Sequence, residues 1–285
     1  MLTRAGSKHR AGQYYLWSVL VSTQPLTFDF VLIPAGEFLI GTHSARNAIV
    51  EPDEMPQHTL ALPDFYIARA PVTNAQYDAF IAATQHRAPK FWREGKPPAE
   101  QADHPVVGVN FHDCLAFCSW ASQVLNLPLR LPLEPEWEKA ARGTDGRVYP
   151  WGNTWEAQRC NSFEAKLNRT TPVAQFAATS ASPYGVADLV GNVSEWCFSM
   201  FSKYPYRADD GREALQLADG QHLPWVERWG LQVTNEPSRF KGNEQRVLRG
   251  GSFRENKTVC RCAYRSWAAA IHMSDDTGFR VAYRQ

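Results

Sequence analysis

The chain has 285 residues, 44% of them hydrophobic and 21% charged, with a formal net charge of +1. This composition is globular and long enough to bury a sizeable core. The near-neutral balance offers no global field for nucleic acid or an anionic membrane, and no apolar run is long enough to span a bilayer, so neither is expected as a partner. Ten Trp and ten Tyr are many for this length, and aromatic side chains enrich recognition surfaces as well as cores.

At the start of the chain, Arg4, Lys8 and Arg10 precede the apolar stretch YYLWSVLV. As a secretory signal this is short, aromatic and followed by STQP, a poor cleavage site, so a first strand or an interface segment is the better reading. FDFVLIPAGEFLIGT predicts two strands around a turn at Pro34-Ala35-Gly36. HTLALPDFYIARAPV has partial strand alternation. TNAQYDAFIAAT predicts a helix with Thr73 and Gln76 as a capping box and Tyr77, Phe80 and Ile81 on its buried stripe. NFHDCLAFCSWASQVL predicts a second helix, in which Cys114, Phe117, Cys118, Ala121 and Leu125 share a face, so both cysteines read as core residues. EPEWEKAAR predicts a third, with Pro135 in its first turn and Gly143 as its stop.

Beyond Gly143 the helical periodicity ends, and short apolar runs alternate with Gly, Pro, Asn and Asp. A long excursion from Phe198 to Gln245 carries Tyr204, Tyr206, Trp225 and Trp229 without clear periodicity; such segments in compact domains are functional or disordered. RVLRGG, VCRCAYRS and GFRVAYR predict closing strands. The whole reads as one α+β domain, residues 31–285, behind an N-terminal extension, residues 1–30.

Six cysteines form no CxxC pair and have no zinc-finger spacing with histidine, and His58, His104 and His112 are scattered. Cytoplasmic residence is expected from that usage. Two stretches carry candidate chemistry. In SPYGVADLVGNVSEW, Asp188 and Glu195 flank a turn at Gly191-Asn192, an oxygen-rich arrangement that suits a hard cation such as calcium. The spacing is not that of an EF-hand, and the plainer reading is a capped turn with a solvated Glu. In RGGSFRENKTVCRCAYRS, Cys260 and Cys262 would face the same side of a strand. Together they would make a thiol pair, or simply two small core residues.

The motifs IPAGEFLIGT, PVTNAQY, HPVVGVNFHDCLAFCSWA, LRLPLEPEWEKAARG, YPWGN, TTPV, SPYGVADLVGNVSEW, RVLRGGSF and GFRVAYR occur in one order over Val31 to Arg284. In these the chain resembles the formylglycine-generating enzyme, or sulfatase-modifying factor, family. The resemblance implies a loop-rich α+β fold of the C-type-lectin-like kind, with little regular secondary structure. It implies a structural calcium held by the Asp188 and Glu195 side chains and the Gly191 and Val193 carbonyls. A second calcium would begin at Asn161 and Ser162, where the following loop is shorter and lacks the family's Asp-Gly-Phe, with Glu164 as a substitute.

The family's enzymes oxidise a peptide cysteine with copper and oxygen, holding copper(I) on two cysteines. Here Cys260 matches the second and Ser252 the family serine, but the first falls on Glu255, a hard ligand unsuited to copper(I). Copper is therefore not expected. Cys262 and Cys118 match disulfide cysteines whose partner positions are Ala141 and Val281. The resemblance leaves two functions open. One is a module that binds a protein or peptide ligand through Arg254, Glu255, Trp267, Tyr204 and Trp225, as in variable proteins of diversity-generating retroelements. The other is an oxygen-dependent oxidase, using Cys260 as the formylglycine-type enzymes do, or Glu255 as an acid–base in the manner of siderophore-maturation relatives.

Overall fold

The computed structural model describes residues 14–21, 24–43, 50–216, 222–224 and 243–285. Three helices form where apolar spacing and capping residues place them. In α1 (Asn74–Thr84) the Thr73 hydroxyl accepts from the Gln76 N–H at 3.2 Å, and the Gln76 side chain accepts from the Thr73 N–H at 2.9 Å. This reciprocal arrangement satisfies two otherwise orphaned donors. Helix α2 (Phe111–Leu125) uses the same device through Asn110 and Asp113, which the sequence reading did not identify. Cys114 and Cys118 are buried on it, as their spacing predicts. Helix α3 (Glu134–Arg142) ends at Gly143 and is buried along its whole length despite its five charged side chains.

In chain order the strands are β1 (Tyr14–Val21), β2 (Gln24–Ile33), β3 (Gly36–Ile40), β4 (His58–Leu62), β5 (Phe65–Ala68) and β6 (Ser194–Met200). They continue with β7 (Ala214–Gln216), β8 (His222–Pro224), β9 (Gln245–Arg249), β10 (Arg265–Ala269), β11 (Thr277–Gly278) and β12 (Ala282–Tyr283). One sheet has the order β1-β2-β5-β12 and another β10-β9-β6-β11; β3 pairs with β4 and β7 with β8. This is the α+β, loop-rich architecture expected.

Three details differ from the sequence reading. The strands on either side of Pro34-Ala35-Gly36 both form, yet β2 joins the first sheet while β3 pairs with β4, so the turn is a handover between sheets. Strands β1 and β2 belong to that first sheet, so the folded unit takes in residues ahead of position 31. VCRCAYRS is not a strand: residues 257–263 turn, and β10 starts only at Arg265. The turn is set from a distance, because Arg261 pairs with both oxygens of Glu54 and the Cys262 N–H bonds the Val148 carbonyl at 2.9 Å.

The apolar core gathers α1, α2 and the first sheet around Tyr77, Phe117 and Phe279. Where α3 meets β9 and β10 the interior is ionic. Arg249 donates to Glu138 at 2.6 Å, Arg265 grips both oxygens of Glu134, and Arg142 closes on Glu138 at 2.8 Å. Burial would raise the Glu138 carboxyl, but Arg249 and Arg142 hold it below its ordinary range. The charged side chains of α3 are thus the internal clamp between α3 and the second sheet.

Candidate functional site

Three loops converge beside that clamp: residues 160–171, 188–195 and 250–260. The Asn192 N–H donates to the Asn161 carbonyl at 2.7 Å, its side chain accepts from the Thr171 N–H at 3.0 Å, and its own carbonyl accepts from the Phe253 N–H at 3.1 Å. Gly191 is indispensable to the contact. Its φ is +75°, and a Cβ there would stand 2.5 Å from the Asn161 carbonyl oxygen.

The calcium candidates fall on this junction. Asp188 is buried with a left-handed backbone, and its Oδ2 accepts from the Ala174 N–H at 2.6 Å. Burial pushes its carboxyl up to about 6, against the pull of the Ala174 hydrogen bond and Arg280. A carboxylate in that condition has charge left to neutralise, as a hard cation would require. Glu195 is differently placed: Arg280 donates to both its oxygens at 2.6 Å, and the Trp137 indole donates to Oε2 at 2.9 Å. Those bonds leave Glu195 one lone pair on Oε1 for a cation. It is neither the solvated residue of the plain reading nor a fully open ligand. Of the second set, Asn161 Oδ1 is buried without a hydrogen-bond partner. Glu164 is taken by the Ser162 hydroxyl at 2.8 Å and the Lys257 N–H at 2.9 Å. Among the described residues no three His, Cys, Asp or Glu side chains converge on one point.

Ser252, Glu255 and Cys260 are brought together. The Glu255 N–H bonds the Ser252 carbonyl at 3.0 Å, and the Cys260 thiol sits 3.5 Å from the Glu255 carbonyl and 3.8 Å from that of Ser252. Glu255 thus meets Cys260 through its backbone. Its carboxyl, half-buried, is pushed up by burial and by Asp276. Cys260 is 0% exposed, and burial, together with Cys160, Glu164 and Glu255, holds its thiol far above the ordinary range. No cation lowers it, so it has none of the surroundings that make a thiol nucleophilic. The residues present do not fit the family's copper pair. Nor do Cys260 and Cys262 make one, because the turn puts Cys262 in a different buried cluster, with Ala141 and Trp137.

The surface residues divide. Arg254 is exposed and pairs with Asp275 at 2.5 Å, Trp267 is 48% exposed on β10, and Ile271 is 58% exposed. Ser252 donates to Asp276 at 2.8 Å, which ties the two ends of the segment 252–276 together. Tyr204, expected on this surface, is buried: the Arg265 guanidinium lies 3.9 Å from its ring centroid, and its hydroxyl donates to Glu138 at 3.4 Å. An aromatic face over a buried guanidinium is held in the interior by that charge. Trp225 and Trp229 lie outside the described residues.

The sulfatase-modifying factor enzyme 1-like domain matches residues 19–285. A serine/threonine-protein kinase named pkn1 of Chlamydia caviae is 30% identical over 278 residues, covering 92% of this chain and 39% of the relative. The chain thus spans about two fifths of that relative. A formylglycine-generating enzyme of Thermomonospora curvata is 28% identical over 319 residues, covering 92% of this chain and 95% of that enzyme. Among solved structures, PvdO of Pseudomonas aeruginosa superposes with a TM-score of 0.70 at 25% identity, covering 94% of this chain and 98% of PvdO.

Proposed function

Since this chain belongs to the sulfatase-modifying factor enzyme 1-like domain family, we propose that it is a member whose scaffold binds a protein or peptide ligand and does not oxidise cysteine. One observation carries the reading. Cys260, the surviving counterpart of the copper cysteines, is sealed and protonated, with a glutamate at the other position. The ligand-binding face is the segment closed by the Ser252–Asp276 and Arg254–Asp275 contacts, which displays Arg254, Glu255, Trp267 and Ile271. Arg and Trp are among the residue types that dominate binding energy at interfaces. Such a frame also suits a variable protein of a diversity-generating retroelement, since Arg254, Trp267 and Ile271 are exposed while the Ser252–Asp276 contact holds the segment's ends.

The experiment has two arms. Full-length protein is treated anaerobically with copper(I), then given oxygen and a cysteine-containing sulfatase peptide; no peptide oxidation is expected. A displayed random-peptide library is selected on the same protein, and enriched peptides are tested on Arg254→Ala and Trp267→Ala. Binding that falls at least about tenfold in either variant is expected, about 1.4 kcal/mol for one such anchor. Peptide oxidation abolished by Cys260→Ser, or by Glu255→Gln with Cys260 intact, would replace this reading with the oxidase one.

Calcium at the 188–195 turn belongs to the same proposal, as a structural ion on Asp188, the carbonyls of Gly191 and Val193, and the remaining lone pair of Glu195. Calcium at about a hundredfold excess over its Kd is expected to add about 2.7 kcal/mol of stability, visible as a rise of several degrees in Tm. Asp188→Ala is expected to remove the rise. An unshifted Tm in the unsubstituted protein, or an equal rise in the variant, would exclude the ion from this turn.

A further inference from the structure

The loop that follows Asn161 is sewn to the segment 252–276 by two hydrogen bonds. The Phe163 N–H donates to the Glu255 carbonyl at 2.9 Å, and the Lys257 N–H donates to Glu164 Oε1 at 2.9 Å. Glu164 Oε2 accepts from the Ser162 hydroxyl at 2.8 Å, so both oxygens of this carboxylate are engaged within the junction. Burial alone would raise its carboxyl, but the Lys257 N–H and the Ser162 hydroxyl hold it below its ordinary range. What the loop turns outward is apolar. Phe163 is 58% exposed and Leu167 is 41% exposed. Single exposed apolar side chains are ordinary, but here two stand in one short loop that is pinned at its base. The backbone around Leu167 is held against its preference. Lys166 and Asn168, on either side of it, are both left-handed, with φ of 55° and 52°. A lysine keeps that conformation only where its surroundings enforce it, and the Lys166 N–H bonds the Phe163 carbonyl at 3.1 Å.

The same loop and the strand of chain sewn to it carry positive charge. Lys166, Arg169 and Lys257 are exposed, and none of the three forms a salt bridge among the described residues. Arg254, by contrast, is committed to Asp275. We propose that Phe163, Leu167 and these three cations extend the binding face, and that its ligand is an acidic segment of a partner protein with an apolar side chain between its carboxylates. This inference rests on the binding-module reading and gives the chemistry of its ligand. The apolar side chain, covered by Phe163 and Leu167, supplies the affinity, while the cations orient the segment and speed its arrival. A basic segment would meet like charge without compensation. A lipid surface suits the patch less well, because an interfacial element buries an extended apolar face, and this loop offers two side chains beside the polar Glu255 segment.

The probe is the peptide most enriched from a displayed random library selected on the full chain at low salt, labelled and titrated by fluorescence anisotropy. It is expected to be net acidic, with an aromatic or aliphatic residue between Asp or Glu. Phe163→Ser is expected to weaken its binding at least about tenfold. Lys166→Asn combined with Lys257→Gln is expected to weaken it roughly threefold at low salt, a difference that vanishes at about 0.5 M NaCl. Asparagine tolerates the left-handed position of Lys166, and circular dichroism checks that the variants are folded. A salt titration of the unsubstituted protein tests the charge argument without any substitution. Enriched peptides that are neutral or basic, binding that salt does not weaken, or full affinity in folded Phe163→Ser would overturn the proposal. A selection that enriches nothing would overturn it too. Retention on phosphatidylserine vesicles that is lost in Phe163→Ser would assign the patch to a lipid surface instead. If Arg254→Ala or Trp267→Ala weakened the peptide and Phe163→Ser did not, the binding-module reading would stand without this ligand chemistry. Peptide oxidation abolished by Cys260→Ser would remove the reading itself, so the two failures are distinguishable.

Discussion

Replacing Arg249 by Met is expected to destabilise the fold by about 3–5 kcal/mol, the loss typical of removing one partner from a buried ion pair. The guanidinium is fully buried at the end of β9. It donates to Glu138 and to the Cys262 carbonyl, each at 2.6 Å, to the Ala263 carbonyl at 3.3 Å, and lies 5.3 Å from the centroid of the Trp137 ring. Methionine fills much of the volume and leaves Glu138 with Arg142 as its remaining cation, beside the Gly41 N–H and the Tyr204 hydroxyl, and two carbonyls without their donor. The urea midpoint reports the energy. Thiol reactivity reports the site, because Arg249 leads directly into Gly250, Gly251 and Ser252 and holds the carbonyl of Cys262. All six cysteines are buried and free, so the unsubstituted protein should react slowly with a thiol reagent below its unfolding midpoint. The variant should expose Cys260 and Cys262 first. Arg249→Lys is expected to recover only part of the loss, since an ammonium cannot reach Glu138 and two carbonyls in the planar geometry of the guanidinium. A midpoint within about 0.5 kcal/mol of the unsubstituted protein would show that the clamp contributes no more than an ordinary surface pair.

The helices were legible because their signals are local. Thr73 with Gln76, Pro135 and Gly143 lie within a turn of the elements they start or stop. The turn at residues 257–263 was not legible, because what bends it is Glu54, some two hundred residues away in sequence. The same holds for charge. Arg280, Arg249, Arg265 and Arg261 read as ordinary polar residues in short strands, and only the fold shows that each meets a buried glutamate. At the candidate site, the family pattern implied that Ser252, Glu255 and Cys260 lie near one another with Cys260 on a strand; they are near one another, but Cys260 sits in a turn. The binding-module reading put Tyr204 of the long excursion on the surface, where it is not, because aromatic content alone does not distinguish a recognition ring from one stacked on an internal arginine.

Glu213 is expected to make stability fall as pH rises through neutrality. It is buried behind β6, where its Oε1 accepts from the Ser199 hydroxyl at 2.6 Å and the Tyr206 hydroxyl at 2.7 Å, while Oε2 has no partner. Among the described residues no cation contacts it; the neighbouring Arg212 is turned to Asp210. Burial, reinforced by Glu134 and Glu136 and opposed by the two hydroxyls, raises its carboxyl from 4.5 to about 7. Between those values the folded chain keeps a proton that the unfolded chain has released, so the fold loses stability as pH rises across the window and carries the full cost above about 7. The interval corresponds to about 3 kcal/mol. Glu213→Gln keeps an oxygen for both hydroxyls and cannot ionise. Relative to the unsubstituted protein it should be nearly neutral at pH 5 and more stable at pH 8, by up to that amount. Unfolding midpoints at the two pH values measure the difference directly. Because the two proteins differ only at residue 213, parallel stability curves would mean that Glu213 ionises at its ordinary pKa despite its burial.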